Sequence, residues 1–267
     1  MLDGITLGRY IPTGSVVHNL DPRAKIIAVM LLIISILAAR QPITYMVITT
    51  FIILVIIAAK IPLTAVLRSL RLLWIVLLCG FIFQAFFTPG QALTTLGPLT
   101  ITREGLLGAG EMLWRLANLI TVASLLTYTT TPIKLTAGME YLLSPLRRFK
   151  VPVHELTMMM TIALRFVPTL LEEAQIVMKA QQSRGASFTR GNLWRRAMSL
   201  VPLLVPLFAG AFRRAEELAT AMEARCYRGG VNRTRMSELV VGRADQVAVT
   251  ACGVLLIATV VLRFIQV

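Results

Sequence analysis

The sequence predicts an all-α, polytopic membrane protein with about five transmembrane helices and a helical cytoplasmic module that contains two long amphipathic helices. The first observation is composition: 56% of the 267 residues are hydrophobic and 15% are charged, whereas soluble domains carry about 25% charged residues. The second is a set of five apolar segments close to the length of a bilayer span, roughly 17 to 25 residues. The third is a basic segment between the fourth and fifth of these, in which apolar residues recur at helical spacing.

The apolar segments cover residues 24–40, 43–60, 70–88, 106–131 and 245–264. Only Arg40, Gln41 and Pro42 separate the first two segments. Pro42 interrupts helical hydrogen bonding because it has no amide hydrogen, so these two segments predict a tight helical hairpin. The third segment is rich in Phe and Leu and ends at Thr88-Pro89-Gly90.

Basic residues set the expected orientation in the cell membrane. With a cytoplasmic N-terminus, 23 of the 27 Lys and Arg residues lie inside, whereas Arg40, Arg103 and Arg263 lie outside. Cytoplasmic loops of membrane proteins carry the excess of basic residues. We therefore expect a multi-pass protein with its N-terminus and basic segment in the cytoplasm and its C-terminus outside. Three parts follow along the chain: an N-terminal segment with the first four transmembrane helices (1–131), a cytoplasmic helical module (132–244) and a last transmembrane helix (245–267).

The basic segment contains two long amphipathic patterns, which we call the arms: His154 to Gln182 and Met198 to Glu223. Apolar residues recur every three or four positions in both, which places them on one helix face. At about 1.5 Å per residue, the first arm is about 40 Å long. A shorter connecting helix is predicted from Pro132 to Leu146, with Thr131 as its N-cap and Pro132 at its first position.

The arms are more apolar than is usual for a cytosolic domain. The run Met158-Met159-Met160 belongs to this apolar surface, and methionine side chains repack easily against varied partners. The sequence leaves two alternatives open for the surface, partner binding and an internal core. Pro168, Pro202 and Pro206 each remove an intrahelical hydrogen bond, so we expect them to bend the arms.

Each arm ends in an arginine-centred tripeptide. Ser183-Arg184-Gly185 and Ala224-Arg225-Cys226 lie 41 positions apart in the sequence. Arginine presents five donors in a rigid fork that suits bidentate contact with a carboxylate, so each arginine can anchor in an acidic groove of a partner. The alternative is a solvated arginine that interacts with the negative end of the helix dipole.

Enzyme motifs are absent from the sequence. The phosphate-binding pattern GxxxxGK[ST] does not occur, and HExxH and GxSxG do not occur either. The three cysteines are widely separated and form no CxxC pair, which argues against a disulfide framework or a zinc site. No nucleic-acid-binding motif accompanies the positive charge. We expect no catalytic residue, no cofactor, no metal ion and no nucleic-acid partner.

Charged residues inside a predicted span are candidates for function. Glu111 and Arg115 lie four positions apart in the fourth span, where they either neutralise each other within the bundle or lie near the outer interface. With Gln84, they are the candidates for a self-contained secondary transporter or channel, which is the alternative function. That alternative requires polar groups at the bilayer midplane and is often built from two repeated halves, and no repeat of whole spans is visible.

A short polar motif, Asp21-Pro22-Arg23 with Lys25, precedes the first span. Asp21 can cap the first helix, with Pro22 at its first position. Arg23 and Lys25 are expected at the cytoplasmic interface. Capping alone explains this motif, and a functional role is the alternative.

Taken together, these residues resemble one family, the transmembrane coupling subunits, or T components, of energy-coupling factor transporters. The resemblance extends over nearly the whole chain. Pro12-Thr13-Gly14-Ser15 and the stretch from His18 to Lys25 look like the family's entry into its first membrane helix. The two tripeptides look like the family's paired Ala-Arg-Gly motifs, from which Ser183 and Cys226 depart while both arginines are kept.

The resemblance implies two ATP-binding-cassette ATPases as partners, which hydrolyse the ATP, and a substrate-binding membrane protein called the S component. Each tripeptide would dock one ATPase, through Arg184 and Arg225. Motion of the arms would tilt the S component and deliver a vitamin or a metal ion inward. The S component would rest on the apolar faces of the arms, at Met159, Met160, Ala163, Val167, Leu204, Phe208 and Ala211.

Overall fold

In a computed structural model of the chain, residues 10–96, 99–186, 193–229 and 240–265 are described. The helices are α1 (Val16–Asn19), α2 (Pro22–Ala38), α3 (Pro42–Ala58), α4 (Leu63–Leu72), α5 (Trp74–Phe87), α6 (Arg103–Thr129), α7 (Pro132–Leu142), α8 (Val153–Ser183), α9 (Leu193–Ala224) and α10 (Arg243–Ile265). A 3-10 turn, Ser144–Phe149, lies between α7 and α8. Over the described residues the prediction of a helical protein is confirmed.

The chain forms two compact units. One, which we call the bundle unit, takes in Gly8–Gly138 together with Glu238–Val267. The other, which we call the arm unit, takes in Met139–Ser237. The described parts of α8 and α9 therefore belong to one unit, and those of α2 to α6 with α10 belong to the other.

Five helices, α2, α3, α4, α6 and α10, supply the core of the bundle unit. Ile36, Tyr45, Ile48 and Val122 are completely buried there, and Cys252 of α10 belongs to the same cluster. Lipid is as apolar as these side chains, so within a membrane close van der Waals packing holds such helices together. The helical hairpin predicted around Pro42 is present as α2 and α3.

The third predicted span, residues 70–88, corresponds to α5 and the last residues of α4. The chain there forms α4 and α5, which meet at Leu73 with a bend of 56°. Apolar residues run through this break, so hydropathy alone could not locate it. Two described helices are long and apolar enough to cross a membrane by themselves: Met198–Ala224 and Arg243–Phe264. The bent pair adds a third if it counts as one span, and α3 is apolar but shorter.

A two-stranded antiparallel hairpin, β1 (Ala92–Leu96) and β2 (Leu99–Thr102), joins α5 to α6. The sequence analysis did not predict it, although Thr-rich and Leu-rich residues on both sides of a Gly-Pro pair are a hairpin signal. Thr102 fixes the start of α6, since its Oγ1 accepts a hydrogen bond from the Gly105 amide at 3.0 Å and donates to the Thr88 carbonyl at 2.8 Å.

The arm unit is an antiparallel pair of long helices, α8 and α9. Arg214 of α9 contacts Glu173 near the middle of α8. Just beyond the end of α9, the Tyr227 hydroxyl donates to the sulfur of Met158, close to the start of α8, at 3.1 Å. Both helices continue through their internal prolines, and the bends expected at those prolines stay a prediction.

Candidate functional site

The first tripeptide closes α8 with a left-handed turn. Gly185 has a φ of +87°, a conformation that glycine adopts without steric cost. The Ala186 amide donates to the Gln181 carbonyl at 3.0 Å, and the Gly185 amide donates to the Gln182 carbonyl at 2.9 Å. These two bonds are those of the Schellman motif, which satisfies carbonyls that would otherwise be left free at a helix end.

The second tripeptide closes α9 in the same way. The Tyr227 amide donates to the Met222 carbonyl at 3.0 Å, and the Cys226 amide donates to the Glu223 carbonyl at 2.8 Å. Cys226 takes the left-handed position with a φ of +55°. A side chain is unfavourable there by roughly 1 to 2 kcal/mol. Cys226 therefore takes the backbone position at the end of α9 that Gly185 takes at the end of α8.

Arg184 and Arg225 occupy the same place in the two Schellman motifs, one residue before the left-handed position. Both are exposed, and among the described residues neither forms an ion pair. Because α8 and α9 are antiparallel, the two arginines lie at opposite ends of the helix pair. The arrangement presents two guanidinium groups to solvent in matching backbone settings.

The apolar residues predicted on the arms are largely exposed. Met159, Met160, Leu204 and Phe208 have 57%, 44%, 46% and 61% of their surface accessible, which does not fit an internal core at these four positions. Ala163 is exposed as well, and Val167 and Ala211 are half-buried. An exposed apolar surface of this kind is typical of a protein or membrane contact.

The Asp21 motif connects four helices of the bundle unit. Asp21 caps α2 by accepting the Arg23 amide at 2.8 Å, and its own amide donates to Asp245 of α10 at 2.7 Å. Lys25 is buried, and its ammonium donates to the carbonyls of His18 and Thr129 at 2.9 and 3.0 Å. Capping and these buried hydrogen bonds give Asp21 and Lys25 a structural role, and a functional role of the motif stays a prediction.

Glu111 and Arg115 of the fourth predicted span do not form an ion pair among the described residues. Arg115 instead donates to the Tyr45 hydroxyl, at 2.9 Å from Nε and 2.7 Å from Nη2. Nη2 also lies 3.4 Å from the Ala39 carbonyl, beside the turn between α2 and α3. The predicted orientation puts that turn outside, so the position of Arg115 agrees with the alternative in which it lies near the outer interface. The other alternative, mutual neutralisation of Arg115 and Glu111, has no support among the described ion pairs.

A cavity of about 140 Å³ within the bundle unit bears on the transporter alternative. Its walls come from α1, α2, α3, α6 and α10 and are apolar apart from Lys25, Thr129 and Cys252. A solute site needs several polar groups that converge on the ligand. The ammonium of Lys25 already donates hydrogen bonds to two carbonyls, so this cavity lacks the several converging polar groups that a solute site needs. Among the described residues, no three His, Cys, Asp or Glu side chains come together as a metal site.

Sequence reasoning missed one contact of the arm unit. Arg214 Nη2 lies 2.8 Å from Glu173 Oε2, and both side chains are half-buried where the two helices meet. Gly210, one turn before Arg214, provides the space, because a Cβ there would lie 3.0 Å from Glu173 Oε1. The available signal was the spacing, since Glu173 and Arg214 are 41 positions apart, like Arg184 and Arg225.

Comparisons with known proteins agree with the resemblance. Residues 13–237 match the family described as Cobalt transport protein (CbiQ). Curated proteins named energy-coupling factor transporter transmembrane protein EcfT are similar over almost the whole chain. The relative from Acidaminococcus fermentans is 50% identical over 245 residues, covering 92% of this chain and 91% of its own length. The relative from Thermosediminibacter oceani is 51% identical over 261 residues and 98% of each chain.

A third relative, from Ruminiclostridium cellulolyticum, is 50% identical over 263 residues and again covers 98% of each chain. Sequence identity near one half over almost the full length indicates that this chain and these relatives share one fold. The matched family region begins at Thr13 and includes the Asp21 motif, both tripeptides and the whole of the two arms. The chain therefore belongs to the family of energy-coupling factor transporter transmembrane proteins, the T components of these transporters.

Proposed function

We propose that this chain transmits the ATP-driven motion of two ATPase subunits to a substrate-binding S component, and so supports inward uptake of a vitamin or another micronutrient. The observation that carries the proposal is the pair of exposed arginines held in matching Schellman motifs at the ends of α8 and α9. Two equivalent binding elements suit two ATPases. The chain itself carries no ATP-binding motif, so ATP is bound and hydrolysed by the partners.

Docking of each ATPase uses the guanidinium group of Arg184 or Arg225. The Schellman motif fixes the backbone on both sides of each arginine, so little backbone order has to be gained on binding. A carboxylate-lined groove on the ATPase would receive the fork in bidentate geometry. Ser183, Gly185, Ala224 and Cys226 shape the helix end that enters the groove.

The S component contacts the exposed apolar surface of the arms. Met159 and Met160 on α8, with Leu204 and Phe208 on α9, offer large apolar side chains that are exposed in the described part of the chain. Methionine adapts to differently shaped partners, which favours a subunit that accepts more than one S component. The N-terminus and the arm unit face the cytoplasm, where the ATPases are, and the C-terminus faces outside.

Charge reversal of both arginines tests the docking. We expect Arg184→Glu with Arg225→Glu to release the ATPases and abolish uptake, because a carboxylate would then face the acidic groove. The measurement is co-purification of the ATPases with the membrane-inserted chain, together with uptake in proteoliposomes. The matched control is Arg165→Glu with Arg213→Glu, which makes the same change at exposed positions of α8 and α9 and should retain the ATPases.

Undiminished co-purification of the ATPases with the double variant would overturn the docking proposal. Solute transport by the purified chain alone in liposomes would favour the self-contained transporter instead. The protein must remain in the membrane fraction in every case, which separates loss of docking from loss of folding.

A further inference from the structure

The two arms cross at positions that are equivalent in their sequences. Glu173 and Arg214 are 41 positions apart, and so are Arg184 and Arg225. The same offset relates every hydrogen bond of one Schellman motif to a bond of the other, for instance from Ala186 to Gln181 and from Tyr227 to Met222. An antiparallel pair whose equivalent residues touch has an approximate two-fold axis at that contact.

The crossing lies at equal helical distance from the two docking arginines. Arg184 follows Glu173 by eleven positions, and Arg225 follows Arg214 by eleven positions. At 1.5 Å per residue each arginine is about 16 Å along its helix from the crossing. A change in the angle between the two arms about this point therefore displaces Arg184 and Arg225 by similar amounts.

We infer that the Glu173–Arg214 pair, with Gly210 beside it, is the pivot that sets the angle between the arms and thereby the spacing of the two ATPase-docking arginines. Glu173 and Arg214 are positioning residues, since they act through Arg184 and Arg225. The inference rests on the proposed function and assigns a role to residues away from the docking ends. Two ATPases related by a two-fold axis would meet a platform with the same symmetry.

The physical case for a positioning role is the geometry of the contact. The side chains of Glu173 and Arg214 are 28% and 35% exposed, but the contacting oxygen, Glu173 Oε2, is itself buried, so water screens this ion pair less than one at the surface. Its 2.8 Å distance therefore restricts how α8 and α9 slide or rotate against each other. Gly210 leaves room for the Glu173 carboxylate against α9, since an added Cβ would lie 3.0 Å from Glu173 Oε1 and the carboxylate would have to shift.

The test uses the complete transporter, with ATPases and an S component, in proteoliposomes. We expect Glu173→Gln and Arg214→Gln each to lower the solute taken up per ATP hydrolysed by roughly threefold to tenfold, the range of changes in coupling between distant sites. The ATPases should still co-purify, because Arg184 and Arg225 are intact. Gly210→Ala should have the same effect with both charges retained. The matched controls are Glu172→Gln and Arg213→Gln, exposed neighbours on the same two helices.

A charge swap, Glu173→Arg with Arg214→Glu, separates positioning from simple destabilisation, because it restores the ion pair and should recover most of the coupling. A spectroscopic readout accompanies it: spin labels at Lys179→Cys and Thr220→Cys, with Cys79 and Cys226 replaced by Ser. The distance distribution should be narrow in the parent, broad in Glu173→Gln and narrow again in the swap.

Unchanged coupling and an unchanged distance distribution in both single variants would overturn the pivot, and so would a swap that behaves like the singles. These outcomes can be distinguished from failure of the proposed function. If the proposed function is wrong, the ATPases stay bound to the Arg184→Glu, Arg225→Glu variant, whatever the variants of Glu173 and Arg214 do.

Discussion

Cys226 shows how a single residue departs from a pattern while the backbone keeps it. Its φ of +55° places a side chain where glycine is favoured, yet both hydrogen bonds of the Schellman motif are formed around it. Gly185 occupies the equivalent place after α8 with a φ of +87°. The helix ends therefore match in geometry, and they differ in the backbone strain that each one carries.

Substitution of this cysteine by glycine should stabilise the protein. We expect Cys226→Gly to raise the free energy of unfolding by about 1 kcal/mol, because the left-handed conformation no longer opposes a Cβ atom. The measurement is thermal or denaturant unfolding of the purified protein in detergent. Cys226→Ala is the matched control, since it removes the thiol and keeps the Cβ, and it should leave stability nearly unchanged. Equal stabilisation by both variants would assign the effect to the thiol.

At the scale of the elements, the Asp21 motif and the hairpin show how helix ends are held. Asp21 joins α2 to α10 through Asp245, and Lys25 joins α2 to the end of α6 through the Thr129 carbonyl. Thr102 at the end of β2 caps α6. These contacts bring together residues far apart in the sequence, so local patterns predict the caps and not their partners.

Removal of the Lys25 ammonium should loosen the contact between α2 and α6. We expect Lys25→Met to lower the free energy of unfolding by about 2 kcal/mol, because the buried carbonyls of His18 and Thr129 lose their donor. The apparent Tm in detergent should fall by several degrees. Lys179→Met makes the same change at an exposed position of α8, and an equal loss there would contradict the structural role assigned to Lys25.

At the scale of the whole molecule, packing distinguishes the two units. Most of the completely buried apolar side chains lie in the bundle unit, Ile36, Tyr45 and Val122 among them. Met198–Ala224 is long and apolar enough to cross a membrane by itself, although the sequence analysis placed it in the cytoplasmic module. Its amphipathic pattern and its neighbouring arginines favour a position at the membrane surface.

The predicted orientation makes a labelling experiment decisive. In intact cells, a membrane-impermeant maleimide should react with a cysteine added after Val267 and should not react with Cys226, because the C-terminus is expected outside and the end of α9 inside. The parent for the first measurement carries Cys79→Ser and Cys226→Ser. Permeabilised cells serve as the control and should show labelling at both positions. Reaction of Cys226 in intact cells would place the arm unit outside and contradict the orientation.

The amino-acid sequence by itself determined the helical fold, the two arms, their arginine-centred ends and the family. Helical periodicity, capping residues and tripeptide spacing are local properties, so they can be read without knowledge of contacts. The break at Leu73 and the hairpin before α6 were missed, because apolar residues continue through the break and the strands are short.

Only the tertiary structure decided how distant residues meet. It placed Glu173 against Arg214, gave Lys25 and Arg115 their partners, and left Met159, Met160, Leu204 and Phe208 exposed. Spacing in a sequence fixes which residues share a helix face, whereas contact depends on the packing of one helix against another. For that reason the two arginines proposed to dock the ATPases were visible in the sequence, and the contact proposed to set their separation was not.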